Sequence, residues 1–147
     1  MKTIIFICHG NICRSPVGAI LFNKYIKEKG LDDEHQAFSR ATSREEIGND
    51  IYPPMKDVLR KNGVSFSRHY ATQITLKEFN EADYIIYMDY NNLRNLVRMF
   101  GESEKYMLIS KYLDNKDIED PWYTDRFDFV FDKINRSVKA FVEFLAK

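Results

Sequence analysis

The chain of 147 residues is 44% hydrophobic and 30% charged, with four prolines and six glycines, a composition that excludes a disordered or collagen-like protein. Its 22 basic and 22 acidic residues cancel, which excludes recognition of nucleic acid or of a membrane surface through bulk charge. The apolar run "IIFIC" (4–8) is too short for a signal segment or a spanning helix, and we expect a single cytoplasmic domain over 1–147, monomeric, without membrane or nucleic-acid partners.

In chain order, "TIIFI" (3–7) predicts a buried strand. Helical spacing takes over at Ser15, with Pro16 suited to the first helical position, Val17, Ile20, Leu21, Tyr25 and Ile26 following, and Gly30 suited to the stop. "QAFSRA" (36–41) predicts a second strand. Pro53-Pro54 opens a helix through Met55, Val58 and Leu59 to Gly63, and Thr75-x-x-Glu78 reads as a capping box before Phe79. "DYIIYM" (83–88) is a strand, followed by a short helix near 91–99 and a strand at "YMLIS" (106–110). A long helix closes the order, with Phe127, Val130, Phe131, Ile134, Val138, Phe141, Val142 and Leu145 on one face. Strands alternating with helices predict an α/β fold, a mostly parallel sheet covered on both faces.

In such sheets the working residues gather where strands lead into helix N-termini. The stretch "CHGNICRS" (8–15) occupies that place after the first strand. Gly10 and Asn11 can turn backbone N–H groups inward, the following helix adds its dipole, and Arg14 offers planar bidentate hydrogen bonds, which together make an anion cradle. A cation and a helix N-terminus favour a thiolate over a thiol, so the stretch joins a nucleophile, Cys8, to an anion receptor. With only two cysteines, Cys8 and Cys13 are expected to be reactive rather than structural, and Cys13 is placed to trap an oxidised Cys8 as a disulfide. Cys8, His9 and Cys13 are soft ligands, but His35 and His69 stand alone in the sequence, so no metal and no other cofactor is expected. A proton donor must accompany the nucleophile. Asp120, before Pro121 and after the last strand, returns to the same sheet edge, and chemistry alone leaves it open between a proton donor and a turn aspartate.

"ICHGNICRSP" resembles the signature loop of the low-molecular-weight protein tyrosine phosphatases. "ATSREEIGN" (41–49), "RHYATQIT" (68–75), "ADYIIYMDYNNLR" (82–94) and "EDPWY" (119–123) resemble further segments of that family in the same order. The resemblance implies a four-stranded parallel sheet in three layers with a phosphate loop after the first strand. It also implies hydrolysis of phosphotyrosine, and of small aryl phosphates, through a cysteinyl-phosphate. Cys8 would be the nucleophile, Arg14 and the loop from His9 through Gly10, Asn11, Ile12 and Cys13 to Ser15 would hold phosphate or a similar oxyanion, and Asp120 would be the general acid. Ser15 would hydrogen-bond the Cys8 sulfur, Asn11, Ser39 and His69 would keep the loop in shape, and Asp89 would support. Trp122 and Tyr123 would wall the substrate, and Ile12 favours phosphotyrosine over phosphoarginine, since related arginine phosphatases carry threonine there. Glu45 stands where the family's second wall is usually aromatic, which implies weaker binding of simple aryl phosphates. Two rivals fit less well. A thiol-based arsenate reductase needs redox cysteines outside the loop, and a phosphate-binding module without turnover leaves the nucleophile and proton donor unexplained.

Overall fold

The computed structural model describes residues 1–147. In order, the elements are β1 (Lys2–Cys8), α1 (Arg14–Glu28), β2 (His35–Ala41), α2 (Pro53–Lys61), α3 (Leu76–Glu81), β3 (Tyr84–Tyr87), α4 (Tyr90–Phe100), β4 (Tyr106–Leu108), α5 (Pro121–Thr124) and α6 (Phe127–Leu145). The four strands form one parallel sheet in the order β2-β1-β3-β4. No helix is long and apolar enough to cross a membrane.

The unbroken apolar run of β1 follows from its place at the centre of the sheet, buried on both faces. Successive side chains point to opposite faces, so Ile4, Phe6 and Cys8 join the larger core with α1, α2 and α6, while Ile5 and Ile7 join a smaller one with α3 and α4. Aromatic rings fill the larger core: Phe6 lies 5.9 Å from Phe22, and Phe22 lies 5.7 Å from Phe141 of α6. The strand order makes a switch point at β1. Its carboxyl end is flanked by the loops after β2 and β3, where a crevice opens.

Local signals set most boundaries. Thr75 and Glu78 form the expected capping box on α3, and Asp89 with Asn92 forms a second one on α4. Gly30 and Gly63 adopt positive φ just past α1 and α2. Three details differ from the sequence reading. Helix α1 begins at Arg14, so Pro16 sits at its third residue rather than its first. Strand β4 ends at Leu108 because the chain turns there, the Lys111 N–H bonding back to the Leu108 carbonyl. Helix α5 was not foreseen: Asp120 caps it and Pro121 opens it, but four residues are too few for a visible period.

Gly18 marks the closest approach of α1 to the sheet, since a Cβ built there would lie 2.7 Å from Cδ1 of the fully buried Phe6. Overpacking of this kind costs about 1–3 kcal/mol, against a helix-propensity gain of about 1 kcal/mol for alanine over glycine. Gly18→Ala is therefore expected to lower the urea midpoint; a midpoint equal to or above the parent's would show that the Phe6 ring yields freely.

Candidate active site

The loop between β1 and α1 turns on Asn11, a fully buried residue with φ of 61° in the left-handed region that asparagine tolerates better than most residues. Every polar group of Asn11 is engaged. Its N–H points at Cys8 Sγ at 3.3 Å, its Nδ2 donates to Ser15 Oγ at 2.9 Å, its Oδ1 accepts from the Thr72 N–H at 3.0 Å, and its carbonyl accepts from His69 Nε2 at 2.6 Å. That last bond puts the His69 proton on Nε2. Residues 71–74 reach the loop because they run beside the end of β2, the Ala41 N–H bonding to Thr72 and the Ile74 N–H to Ala41.

Around Cys8 Sγ stand the Asn11 N–H, the Ser15 N–H at 3.4 Å and Ser15 Oγ at 2.9 Å. Ser15 Oγ already accepts from Asn11, which leaves its own proton for the sulfur. No side chain caps the start of α1. The N–H donors at that end, which carry the positive pole of the helix, are therefore free to face an anion in the loop.

Arg14 is the site's fixed cation. Its side chain is 3% exposed, and one guanidinium nitrogen donates to Asp89 Oδ2 at 2.7 Å and to the Ile118 carbonyl at 2.9 Å, while the other lies 3.5 Å from Asp120 Oδ2. Burial alone would weaken its hold on the proton, but Cys8, Asp89 and Asp120 outweigh burial, so its pKa rises. Asp120 is placed by the backbone of its own turn: Oδ1 caps α5 through the Trp122 N–H at 3.0 Å, and Oδ2 faces Arg14. Burial, with Cys8 and Asp120 nearby adding to it, pushes the Cys13 thiol far up, so Cys13 is a neutral thiol at neutral pH.

One cavity gathers Cys8, His9, Gly10, Ile12, Cys13, Arg14, Glu45, Glu46, Asp120, Trp122 and Tyr123. Trp122 is half exposed and packs on Tyr52 at 4.9 Å, and Tyr123 stands out into solvent. Glu45 reaches across to His9 Nε2 at 2.9 Å. Asn11, Ser15, His69 and Asp89 lie behind the cavity. Ser39 departs from its expected role: its hydroxyl makes no hydrogen bond to the loop. Strand register explains this, because Ala41 is level with Cys8 whereas Ser39 is level with Phe6, below the loop. No group of three or more His, Cys, Asp or Glu side chains is arranged to hold a metal ion.

Three contributors escaped the sequence reading. Glu46 lines the cavity beside Glu45, and Tyr52 backs Trp122. Asp50 accepts from the N–H groups of Ile51 and His69 and pairs with Lys56 and Arg68, tying the wall loop to the segment that holds Asn11. Burial would raise the Asp50 carboxyl, but Lys56 and the two N–H donors win and hold it well below the usual carboxylate range. An acidic residue followed by Pro-Pro and a lysine was a visible signal for the Asp50–Lys56 pair, though not for its link to His69.

The model of the low molecular weight phosphotyrosine protein phosphatases matches residues 3–147. A mouse protein named as such a phosphatase is 37% identical over 150 residues, covering 97% of this chain and 94% of its own. Among solved structures, YfkJ from Bacillus subtilis superposes with a TM-score of 0.93 at 30% identity over 99% of this chain and 94% of that one. Vibrio vulnificus Wzb in complex with benzylphosphonate superposes with a TM-score of 0.87 at 25% identity, covering 97% of this chain and 98% of that one. With the sulfur, guanidinium and carboxyl converging on one cavity, these likenesses agree on one conclusion: the chain belongs to the low-molecular-weight phosphotyrosine protein phosphatase family.

Proposed function

We propose that Cys8, Arg14 and Asp120 hydrolyse phosphotyrosine in two steps at this cavity. The Cys8 thiolate attacks phosphorus in line, and the phosphorus–oxygen bond breaks as the Asp120 carboxyl gives its proton to the leaving phenolate. Arg14 and the loop N–H groups hold the three equatorial oxygens. In the second step the Asp120 carboxylate takes a proton from water, the water oxygen attacks phosphorus, and the sulfur–phosphorus bond breaks to return the thiolate and inorganic phosphate. Ser15 steadies the leaving sulfur, Asn11 and His69 keep the N–H groups converged, Asp89 fixes Arg14, and Trp122 with Tyr123 walls the ring. The observation that carries this reading is Cys8 Sγ at the focus of two N–H groups and a hydroxyl, in one cavity with Arg14 and Asp120. The benzylphosphonate held by Wzb, a phosphonate one methylene removed from an aromatic ring, supports the same substrate chemistry.

Cys8→Ser is expected to abolish hydrolysis of para-nitrophenyl phosphate. Asp120→Ala should lose about 10²- to 10⁴-fold on substrates with poor leaving groups and much less on good ones, so its rates should depend more steeply on phenol pKa. Parent-like turnover of phenyl phosphate by Asp120→Ala would remove Asp120 from the mechanism.

Both cysteines are free thiols in the structure. Oxidation of Cys8 by peroxide gives a sulfenic acid, which condenses with the Cys13 thiol to a disulfide and water. Activity lost to peroxide should return with dithiothreitol in the parent and much less in Cys13→Ser; mass spectra of the oxidised parent without a Cys8–Cys13 linkage would reject this protection.

His69 gives the loop a pH dependence. Burial lowers its pKa from the ordinary 6.5, the Asn11 carbonyl and Asp50 opposing only in part. The unfolded chain then binds the proton first, so stability is complete above about pH 6.5 and falls as the pH drops from there toward the lower folded value. Urea midpoints measured from pH 7.5 to 5.5 should decline in the parent, and the decline should be shallower in His69→Gln; parallel slopes would place the dependence elsewhere.

A further inference from the structure

The cavity floor receives a dianion, yet its mouth is negative. Among the lining side chains Arg14 is the one permanent cation, and it already faces Asp89 at 2.7 Å and Asp120 at 3.5 Å. Glu45 and Glu46 form the rim, and both are held in place. Glu45 Oε2 lies 2.9 Å from His9 Nε2 on the phosphate loop itself. Glu46 Oε2 accepts from Asn49 Nδ2 at 2.6 Å, and its stem lies over the loop, its Cγ 3.3 Å from where a Cβ of Gly10 would stand. Both carboxylates are thus tethered at the entrance, and the Glu45 side chain, 69% exposed, is open to an approaching peptide.

We infer that Glu45 and Glu46 select phosphotyrosine segments that carry Lys or Arg beside the phosphotyrosine. The inference rests on the phosphatase reading above. A phosphotyrosine whose phosphate reaches Cys8 leaves its own main chain at the mouth, next to the rim. The neighbouring residues begin only about 3.8 Å away along the chain, so their side chains meet the two glutamates. A cation there pairs with the rim and offsets its repulsion of the entering dianion, whereas an acidic neighbour adds a second repulsion. Across the mouth, the exposed faces of Trp122 and Tyr123 offer an arginine guanidinium a surface to stack on. An exposed ion pair is worth up to about five-fold. Attraction in one peptide and repulsion in the other should then separate them by about ten-fold.

The test compares kcat/KM for two phosphotyrosine peptides of equal length, one with Lys on both sides of the phosphotyrosine and one with Glu. It is run at low ionic strength and at about 1 M salt, where charges are screened beyond about 3 Å. The parent should favour the Lys peptide about ten-fold at low salt and lose most of that preference at high salt. Glu45→Gln/Glu46→Gln should lose most of the preference at low salt too, while its kcat/KM toward para-nitrophenyl phosphate rises because the entering dianion meets no rim charge. Turnover of para-nitrophenyl phosphate with equal rates on the two peptides would overturn the inference and leave the phosphatase reading standing, as would a preference that survives the double replacement. Failure of the parent to hydrolyse any of the three substrates would remove both.

Discussion

The architecture of the site depends on a single buried asparagine held in the left-handed region. Such a conformation carries a cost for any residue with a side chain, and here four hydrogen bonds from three parts of the chain oppose it. The return is direction. With Asn11 in this state its N–H points at Cys8 Sγ, its carboxamide turns the Ser15 hydroxyl toward the same atom, and the chain enters α1 with its first N–H groups aimed inward. A right-handed residue at this position would send the loop elsewhere and scatter those donors.

Around that focus the charges form a closed set. Arg14 is nearly sealed from solvent, and a buried guanidinium is stable only where carboxylates and carbonyls surround it. Asp89 and the Ile118 carbonyl fill that need from the ends of β3 and of the segment before α5. Both partners reach Arg14 because a parallel sheet gathers the carboxyl ends of its strands on one edge. The electrostatics of the site is thus a consequence of the strand order, and the apolar alternation of β1 that builds two cores also delivers Cys8 to that edge.

Much of this was legible in the sequence, for physical reasons that can be named. The run Ile4–Cys8 declares a strand buried on both faces, and Cys8 to Ser15 compresses nucleophile, turn, cation and helix start into a stretch too short to fold in many ways. Thr75 and Glu78 announce a helix start because the capping box is local. What was not legible lies between distant residues. The His69 bond to Asn11 spans 58 positions, and the Arg14 bond to Ile118 spans 104, so no period or spacing encodes them. Glu46 and Tyr52 became visible only when the wall loop folded over Gly10 and against Trp122. The place of Ser39, level with Phe6 rather than with Cys8, depends on the register of β2 against β1, which pairing fixes and local pattern does not.

Helix α5 has a consequence for how such a site diversifies. Asp120 is anchored by the main-chain N–H of Trp122 and by Arg14, with no bond to the side chains that follow it. Mutation can therefore sample new surfaces at positions 122 and 123 while the carboxyl of Asp120, two residues before Trp122, keeps its place. A lineage built on this turn is free to change what it recognises without first surrendering the acid it reacts with, and recognition and reactivity can evolve on separate schedules though they share four consecutive residues.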